Sequence, residues 1–356
     1  MTKQDLRLLT CCVSVALIAW PSAPIQAQFQ KQYEIVTIAD DVFAIIWQDI
    51  TQYPFEGNHL VVINDDDVFV VDANRTPSLA DTVIAIVRRH TQKPIRYVVN
   101  THWHADHVQG NAVYRRELPE VMIIGHPETV TGIDTVLVPY IDEVRRDVAA
   151  ARTQLAADAT VDGEPFTDAQ RKRAEGRLES LEREETLYEA VELARPNVLV
   201  SDSMTIDGGD RQIKIFHPGP ANTSGDLVVY IPEAGVLAVG DLVTKPFPLL
   251  GWDSPGSWSR ALDHLLGLDP QVVIPGHGEL MRSMEYVELF RDLFRALSTQ
   301  VRDGVERGRS LEELQTTIDL EHFWREFAGD NERLFQGFAA QFQPRAVERA
   351  YLELTR

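Results

Sequence analysis

At 356 residues, 44% hydrophobic and 25% charged, the chain is long enough for one large domain with additions, or for two, and has the composition of a soluble globular protein. Its formal net charge of −20 argues against nucleic acid as a partner, because phosphate backbones are bound by clustered basic residues. Small anionic substrates stay open, since a divalent metal reverses the local field.

Lys3 and Arg7 precede an apolar run over residues 8–20, followed by Pro21, Ser22 and the small-residue exit Gln26-Ala27. Charged start, apolar middle and small-residue exit predict a secretory signal peptide over residues 1–27. The run of about 13 residues is short for a bilayer span, so an uncleaved anchor is the rival reading and no stable membrane insertion is expected once the peptide is cut. Cleavage would remove Cys11 and Cys12, leaving a cysteine-free chain in a compartment that permits disulfides. With Lys3, Arg7 and Asp5 gone, the net charge moves from −20 to −21.

Residues 34–38 and 42–47 read as paired strands across Asp40-Asp41, and residues 58–63 and 68–71 as a second hairpin around the acidic turn 64–67. Between the hairpins, Tyr53 and Phe55 stand in a loop rich in turn formers, where aromatics cover a core edge or touch substrate. Asp72 ends a strand, residues 78–90 have helical apolar spacing, and residues 95–99 form a buried strand bounded by Pro94 and Asn100. Strand, helix, strand in succession predicts an α/β architecture. Directly after it comes Thr101-His102-Trp103-His104-Ala105-Asp106-His107, which places three imidazoles and a carboxylate in six consecutive positions. In extended backbone residues i and i+2 share a face, so His102 and His104 can converge on one ion. If the chain then turns, Asp106 and His107 address a second ion beside it. Imidazole and carboxylate are the donors that zinc and similar divalent metals take.

An amphipathic stretch through Leu118 leads to a short strand over residues 121–124 and then to His126, read as supporting rather than binding. Residues 134–195 change character, becoming polar and rich in alanine and glutamate, with two helical stretches separated by Asp162-Gly163-Glu164-Pro165. Thr167 with Gln170 predicts a capping box for the second helix. Residues 204–206 and 212–216 are strands, the latter ending in His217-Pro218-Gly219-Pro220-Ala221-Asn222. Residues 227–231 and 236–239 form another hairpin ending in Gly240-Asp241, residues 258–266 a helix, and residues 272–274 a strand entering Pro275-Gly276-His277-Gly278. Between them Lys245 and Trp252 lie in a proline- and glycine-rich stretch suited to facing substrate. Residues 279–307 are helical, Ser310 with Glu313 predicts a capping box, and an aromatic stripe over residues 323–342 is expected to cover the core or meet a second subunit.

The string from His102 to His107 resembles the H-x-H-x-D-H signature of the metallo-β-lactamase superfamily, and the later motifs follow in that family's order. The resemblance implies a four-layer αββα sandwich over residues 28–280, with the 134–195 hairpin as an insert and residues 281–356 as a helical carboxy-terminal extension. It implies Asp72 as a support of the metal loop, Asp241 as a bridging carboxylate and His277 as the last histidine. It also places the amino-terminal loop with Tyr53 and Phe55 over the site, and suggests Lys245 as a contact for a substrate carboxylate. In the glycine-rich turn the family's third histidine is replaced by Asn222. A neutral amide oxygen is a weaker zinc ligand than imidazole, and His217, five residues earlier, is the candidate substitute. One site would thus hold Asp106, His107, His277 and shared Asp241. The other would hold His102, His104 and Asp241, with Asn222 or His217 as a weak addition. The cofactor expected is zinc, one ion bound tightly and a second weakly.

These residues predict a secreted, periplasmic metal-dependent hydrolase, in which a water acidified by the metal attacks an acyl carbonyl while Asp106 and Asp241 orient it. The substrate is a small molecule: a β-lactam, lactone, ester or thioester. The alternatives are an iron-dependent redox member of the sulfur dioxygenase type and a non-catalytic member with a degraded first site. A homodimer is open.

Overall fold

The structure is a computed structural model that describes residues 33–47, 56–160, 162–188, 193–248 and 255–355. The signal peptide expected over residues 1–27, and Tyr53, Phe55 and Trp252, lie outside the described residues. Two sheets form the frame. The first runs in sequence order from β1 (Tyr33–Ala39) through β2 (Val42–Trp47), β3 (His59–Ile63), β4 (Val68–Val71), β5 (Ile95–Val99) and β6 (Met122–Gly125) to β7 (Val198–Leu199). Its first four strands are antiparallel meanders and its last four are parallel. The second runs β12 (Val272–His277), β11 (Val236–Thr244), β10 (Val228–Ile231), β9 (Gln212–Phe216), β8 (Ser203–Asp207).

Alternation along the strands builds the layers. In β2, Val42, Ala44 and Ile46 face the second sheet, whereas Phe43, Ile45 and Trp47 face the helices behind. Val68 and Val70 of β4 divide from Phe69 and Val71 in the same way. Successive side chains of a strand point to opposite faces, so an unbroken apolar run means burial on both. On the outer face of the first sheet lies α1 (Pro77–His90), through Leu79, Ala80, Val83, Ile84, Ile86 and Val87. Behind the metal-motif loop come α2 (Ala105–Val108) and α3 (Asn111–Glu117). The second sheet turns Val236 and Ala238 inward and Leu237 and Val239 outward, and the outward pair packs with helices near the carboxy terminus. The αββα sandwich expected from the sequence is what forms.

The helical stretch expected as an insert begins earlier than its composition indicates. Helix α4 (Pro127–Gly132) passes through a π turn (Ile133–Leu137) into α5 (Val138–Ala157). Pro139 in the first turn of α5 supplies no N–H for the helical ladder, which accounts for a wider turn there. Helix α6 (Asp168–Thr186) opens with the expected Thr167–Gln170 capping box and buries none of its residues. It is tied to α5 by exposed pairs such as Arg152–Glu182 and Arg177–Asp147. The inward face of the insert packs on Trp103, Ala105 and Val108 of the metal-motif loop, through Ile133, Leu137, Ile141 and Val144.

The aromatic stripe is core. Helices α7 (Pro255–Leu266), α8 (Glu285–Glu306), α9 (Leu311–Thr317), α10 (Glu321–Ala328), α11 (Glu332–Gly337) and α12 (Gln343–Thr355) share one apolar cluster. In it Trp324, Phe327, Phe338 and Phe342 meet Trp258, Phe290 and Phe294. Pro344 stands in the first turn of the 13-residue α12, where its missing N–H is harmless.

Candidate metal centre

The loop after β5 is locked before any ion is considered. Asn100 donates its backbone N–H to Ile124 O at 2.8 Å and its amide to His107 O at 2.9 Å and Asn111 Oδ1 at 3.0 Å. Short α2 then turns Asp106 and His107 back beside the histidines of the loop. From the second sheet, Gly240 at φ 53° lets the ladder with β12 slip in register. A Cβ there would lie 2.6 Å from Thr101 Cβ, and one at Gly276 would lie 2.0 Å from Asp241 Oδ1. Only glycine allows both approaches. Asp241 is therefore not at a strand end, as its pattern suggested, but inside β11 just past an irregularity that aims it at the loop.

Two groups of ligand atoms result: His102, His104 and Asp241 in the outer group, and Asp106, His107 and His277 in the inner one, each with its atoms within 4.8 Å of one another. Asp241 reaches both. Its Oδ2 lies 3.6 Å from His102 Nε2 and 3.8 Å from His104 Nδ1, and its Oδ1 lies 3.4 Å from His107 Nε2 and 3.3 Å from His277 Nε2. Asp106 Oδ2 is 3.1 Å from His277 Nε2 and 3.4 Å from His107 Nε2. The His104 side chain is 24% exposed and the other five are at most 8%, so the site opens on the His104 side.

Hydrogen bonds fix which ring nitrogen carries the proton. Asp72, at φ 62° and buried, accepts His107 Nδ1–H at 2.7 Å and the Thr101 hydroxyl at 2.9 Å. With its proton given to Asp72, Thr101 Oγ1 accepts from His102 Nδ1–H at 3.0 Å. His277 Nδ1–H donates to Glu56 O at 3.0 Å. The three Nε2 atoms are left to point into the site, the arrangement by which outer partners orient metal-binding imidazoles. Asp72 thus supports the loop and enters neither group.

The charges fit as well. Burial opposes ionisation of Asp106, but the neighbouring His107 and Arg75 outweigh it and hold the carboxyl well below the usual range. Burial also opposes ionisation of Asp241, and His277, His107 and His102 overcome it. His102 is pushed well below the ordinary imidazole value, by burial and then by its two histidine neighbours. His277 is driven up to about 9: burial lowers it, while Asp241 and Asp106 more than reverse that. Among the described residues, His102 Nε2, His107 Nε2, Asp106 Oδ2 and Asp241 Oδ1 are buried without a hydrogen-bond partner of acceptable geometry. Such atoms are rare in native structures unless something else satisfies them, and an N/O donor set converging this way fits a divalent ion.

Asn222 is 1% exposed, and neither of its amide atoms has a hydrogen-bond partner. Its loop is tied to the metal loop by the Leu227 N–H to Thr101 O bond of 2.7 Å. His217 joins neither group: its Nδ1–H donates to Asp226 O at 2.8 Å and its ring lies 4.6 Å from that of His126. His126 caps α4 by accepting from Glu128 N–H. Lys245 sets its ammonium over the Tyr286 ring at 5.1 Å. Sequence reasoning passed over Glu56, Arg75 and Asn58. Asn58 donates to Pro275 O and Gly278 O and so secures the His277 turn. Partners more than 200 positions apart in the chain leave no local signal.

The model of the metallo-beta-lactamase superfamily matches residues 53–277. A linear primary-alkylsulfatase of Pseudomonas sp. is 22% identical over 311 residues, covering 80% of this chain and 56% of its own length. An alkyl/aryl-sulfatase of Saccharomyces cerevisiae is 22% identical over 331 residues, covering 85% and 48%. The chain thus spans about half the length of these curated relatives. Among solved structures, the inverting sec-alkylsulfatase Pisa1 from Pseudomonas sp. superposes with a TM-score of 0.61 at 15% identity, over 91% of this chain and 50% of that one. A metallo-beta-lactamase from Pontibacter korlensis gives 0.51 at 17%, over 74% and 99%.

Proposed function

The chain belongs to the metallo-β-lactamase superfamily, and from that premise we propose that it is a metal-dependent hydrolase that cleaves an acyl bond in a small molecule: an ester, lactone, thioester or β-lactam. The observation that carries this is the convergence of six ligand side chains into two groups sharing Asp241. A bound divalent ion supplies Lewis acidity and brings the pKa of a coordinated water near neutrality. Asp106, held ionised at the floor of the site, accepts a hydrogen bond from the attacking water and orients it. Asp241 keeps both ligand groups in one frame. Substrate enters past His104, the most exposed ligand. Lys245, Tyr53, Phe55 and Trp252 are the residues we assign to substrate contact.

Zinc is the ion proposed, tight in the inner group and weak in the outer one, where Asn222 replaces an imidazole. Desalted protein loaded with zinc should keep close to one ion per chain, and Asn222→His should keep close to two. Two tightly held ions in the unaltered chain would refute the asymmetry.

A sulfate ester is the second reading, favoured by the names of the two curated relatives. The deciding assay offers the zinc-loaded chain p-nitrophenyl acyl esters, a lactone, a thioester, a β-lactam and an alkyl sulfate, each with and without chelator. Chelator-sensitive acyl turnover is expected. Turnover of the sulfate alone selects the second reading, and no turnover of any substrate by the loaded protein overturns both. The amino-terminal pattern supports export to the periplasm, and no described helix is long and apolar enough to cross a membrane. An exported protein recovered from the periplasm should begin at Gln28 by intact mass.

A further inference from the structure

We propose that Arg75 is a positioning residue for the inner ligand group, fixing Asp106 so that only Oδ2 faces His107 and His277. The inference rests on the reading of that group as a metal site. Arg75 Nη2 lies 3.3 Å from Asp106 Oδ1, with the two side chains 6% and 8% exposed. Asp106 Oδ2, the other oxygen, lies against the two inner histidines at 3.4 and 3.1 Å. A planar guanidinium anchored beside one carboxylate oxygen biases which oxygen turns toward the histidines, with a directionality that a lysine point charge lacks.

The turn that delivers Arg75 also delivers Asp72. Three residues apart, they reach two consecutive ligands, Asp72 to His107 and Arg75 to Asp106. Asp72 and Asn74 both have left-handed backbone, φ 62° and 68°, a conformation that Asp and Asn take more readily than other non-glycine residues. His59 braces the turn, with Nδ1–H donated to Val71 O at 2.8 Å and Nε2 2.7 Å from Asn74 Oδ1. Glu56 closes a second path. Its carboxylate accepts the Arg75 backbone N–H at 3.3 Å, and its carbonyl accepts His277 Nδ1–H at 3.0 Å. Next to it, a Cβ on Gly57 would lie 2.7 Å from His107 Cε1. This strap therefore touches all three inner ligands.

Charge and position predict opposite outcomes, which makes the role testable. A cation beside a ligand carboxylate repels a divalent ion, so as a mere charge Arg75 weakens binding and its removal tightens it. As a positioning residue it preorganises Asp106, and its removal loosens the site. The full chain, Arg75→Met and Arg75→Lys are compared by zinc competition with a chromogenic chelator and by the visible spectrum after cobalt(II) loading. Arg75→Met is expected to lower tight-site affinity about 10- to 100-fold, the usual effect of losing an outer-shell partner, and to shift the cobalt band, with Arg75→Lys recovering part of both. A folded Arg75→Met with unchanged or tighter binding overturns the proposal. If that variant does not fold, Arg75→Lys decides: affinity and spectrum equal to the unaltered chain overturn it. Failure of the unaltered chain to retain metal removes the metal reading and the proposal together, a result distinct from either variant outcome.

Discussion

At the scale of the residue, the site is a set of protons already placed. Thr101, Asp72 and Glu56 O hold the Nδ1 protons of His102, His107 and His277, so Nε2 is the atom each ring turns toward the ion. Without an ion, His277 titrates near 9 and His107 is held well above the ordinary value, because Asp72, Asp106 and Asp241 outweigh burial. A raised folded pKa stabilises the metal-free fold fully below the unfolded value of about 6.5, and that contribution fades as pH rises through about 9. Metal uptake must expel the same protons. Zinc affinity should therefore climb between pH 6 and 9 while the metal-free protein loses stability over the same interval. Calorimetry in buffers of different ionisation enthalpy should show proton release at neutral pH, and binding with no proton release would contradict the assignment of His107 and His277. The six side chains that converge in the two groups were legible in the sequence because they sit at local motifs, in H-x-H-x-D-H and beside glycines. Arg75 and Glu56 were not, since their roles depend on contacts from a different strand and turn.

At the scale of the element, strands were easy to read and their ends were not. Doubly buried runs such as residues 42–47 announce themselves by composition, but β11 continues through Gly240 and Asp241 to Thr244. A glycine in positive φ looks like a terminator and here acts as a shift of register. The insert shows the same limit. Its helices follow from periodicity and capping, while its attachment to Trp103 depends on a packing contact between segments. A Cβ on Gly132 would lie 2.3 Å from Trp103 Cγ, and Trp103 sits between two outer ligands. Gly132→Ala should destabilise the fold by about 1–3 kcal/mol through overpacking and reduce metal retention in the outer group. Gly176→Ala is the control, since α6 leaves open space there, and removing backbone freedom should stabilise by about 0.4–1 kcal/mol. Thermal unfolding and zinc titrations without desalting, which read the weak binding step of the outer group, check this. Equal shifts, or an unchanged weak step in Gly132→Ala, would mean that the helices around Gly132 are not coupled to the site.

At the scale of the whole molecule, the question is whether the carboxy-terminal helices are an appendage or part of the sandwich. Helical spacing and aromatic content predicted a face that covers the core or meets a second subunit without deciding between them, because an apolar stripe does not name its partner. In the fold, Trp324 at 1% exposure, Phe338 at 3% and Val347 at 0% share a cluster with Trp258, Phe290 and Phe294, all fully buried. Trp324 stacks on Phe338 at 5.1 Å and Trp258 on Phe294 at 4.6 Å. Each buried aromatic of this kind is worth about 3–5 kcal/mol against alanine, whereas a whole domain is stable by only about 5–15 kcal/mol. Removing Trp324, Phe327, Phe338 and Phe342 together costs an amount comparable to that whole margin. A chain ended at residue 320 should therefore fail to give a soluble, cooperatively unfolding protein, while the longer chain from residue 28 unfolds in a single transition. Circular dichroism melts and retained zinc after gel filtration read the result. If the shortened chain keeps its sheets, a sharp transition and its tightly bound ion, the sandwich is complete without residues 321–356, and those helices must be stabilised by something other than the core they cover.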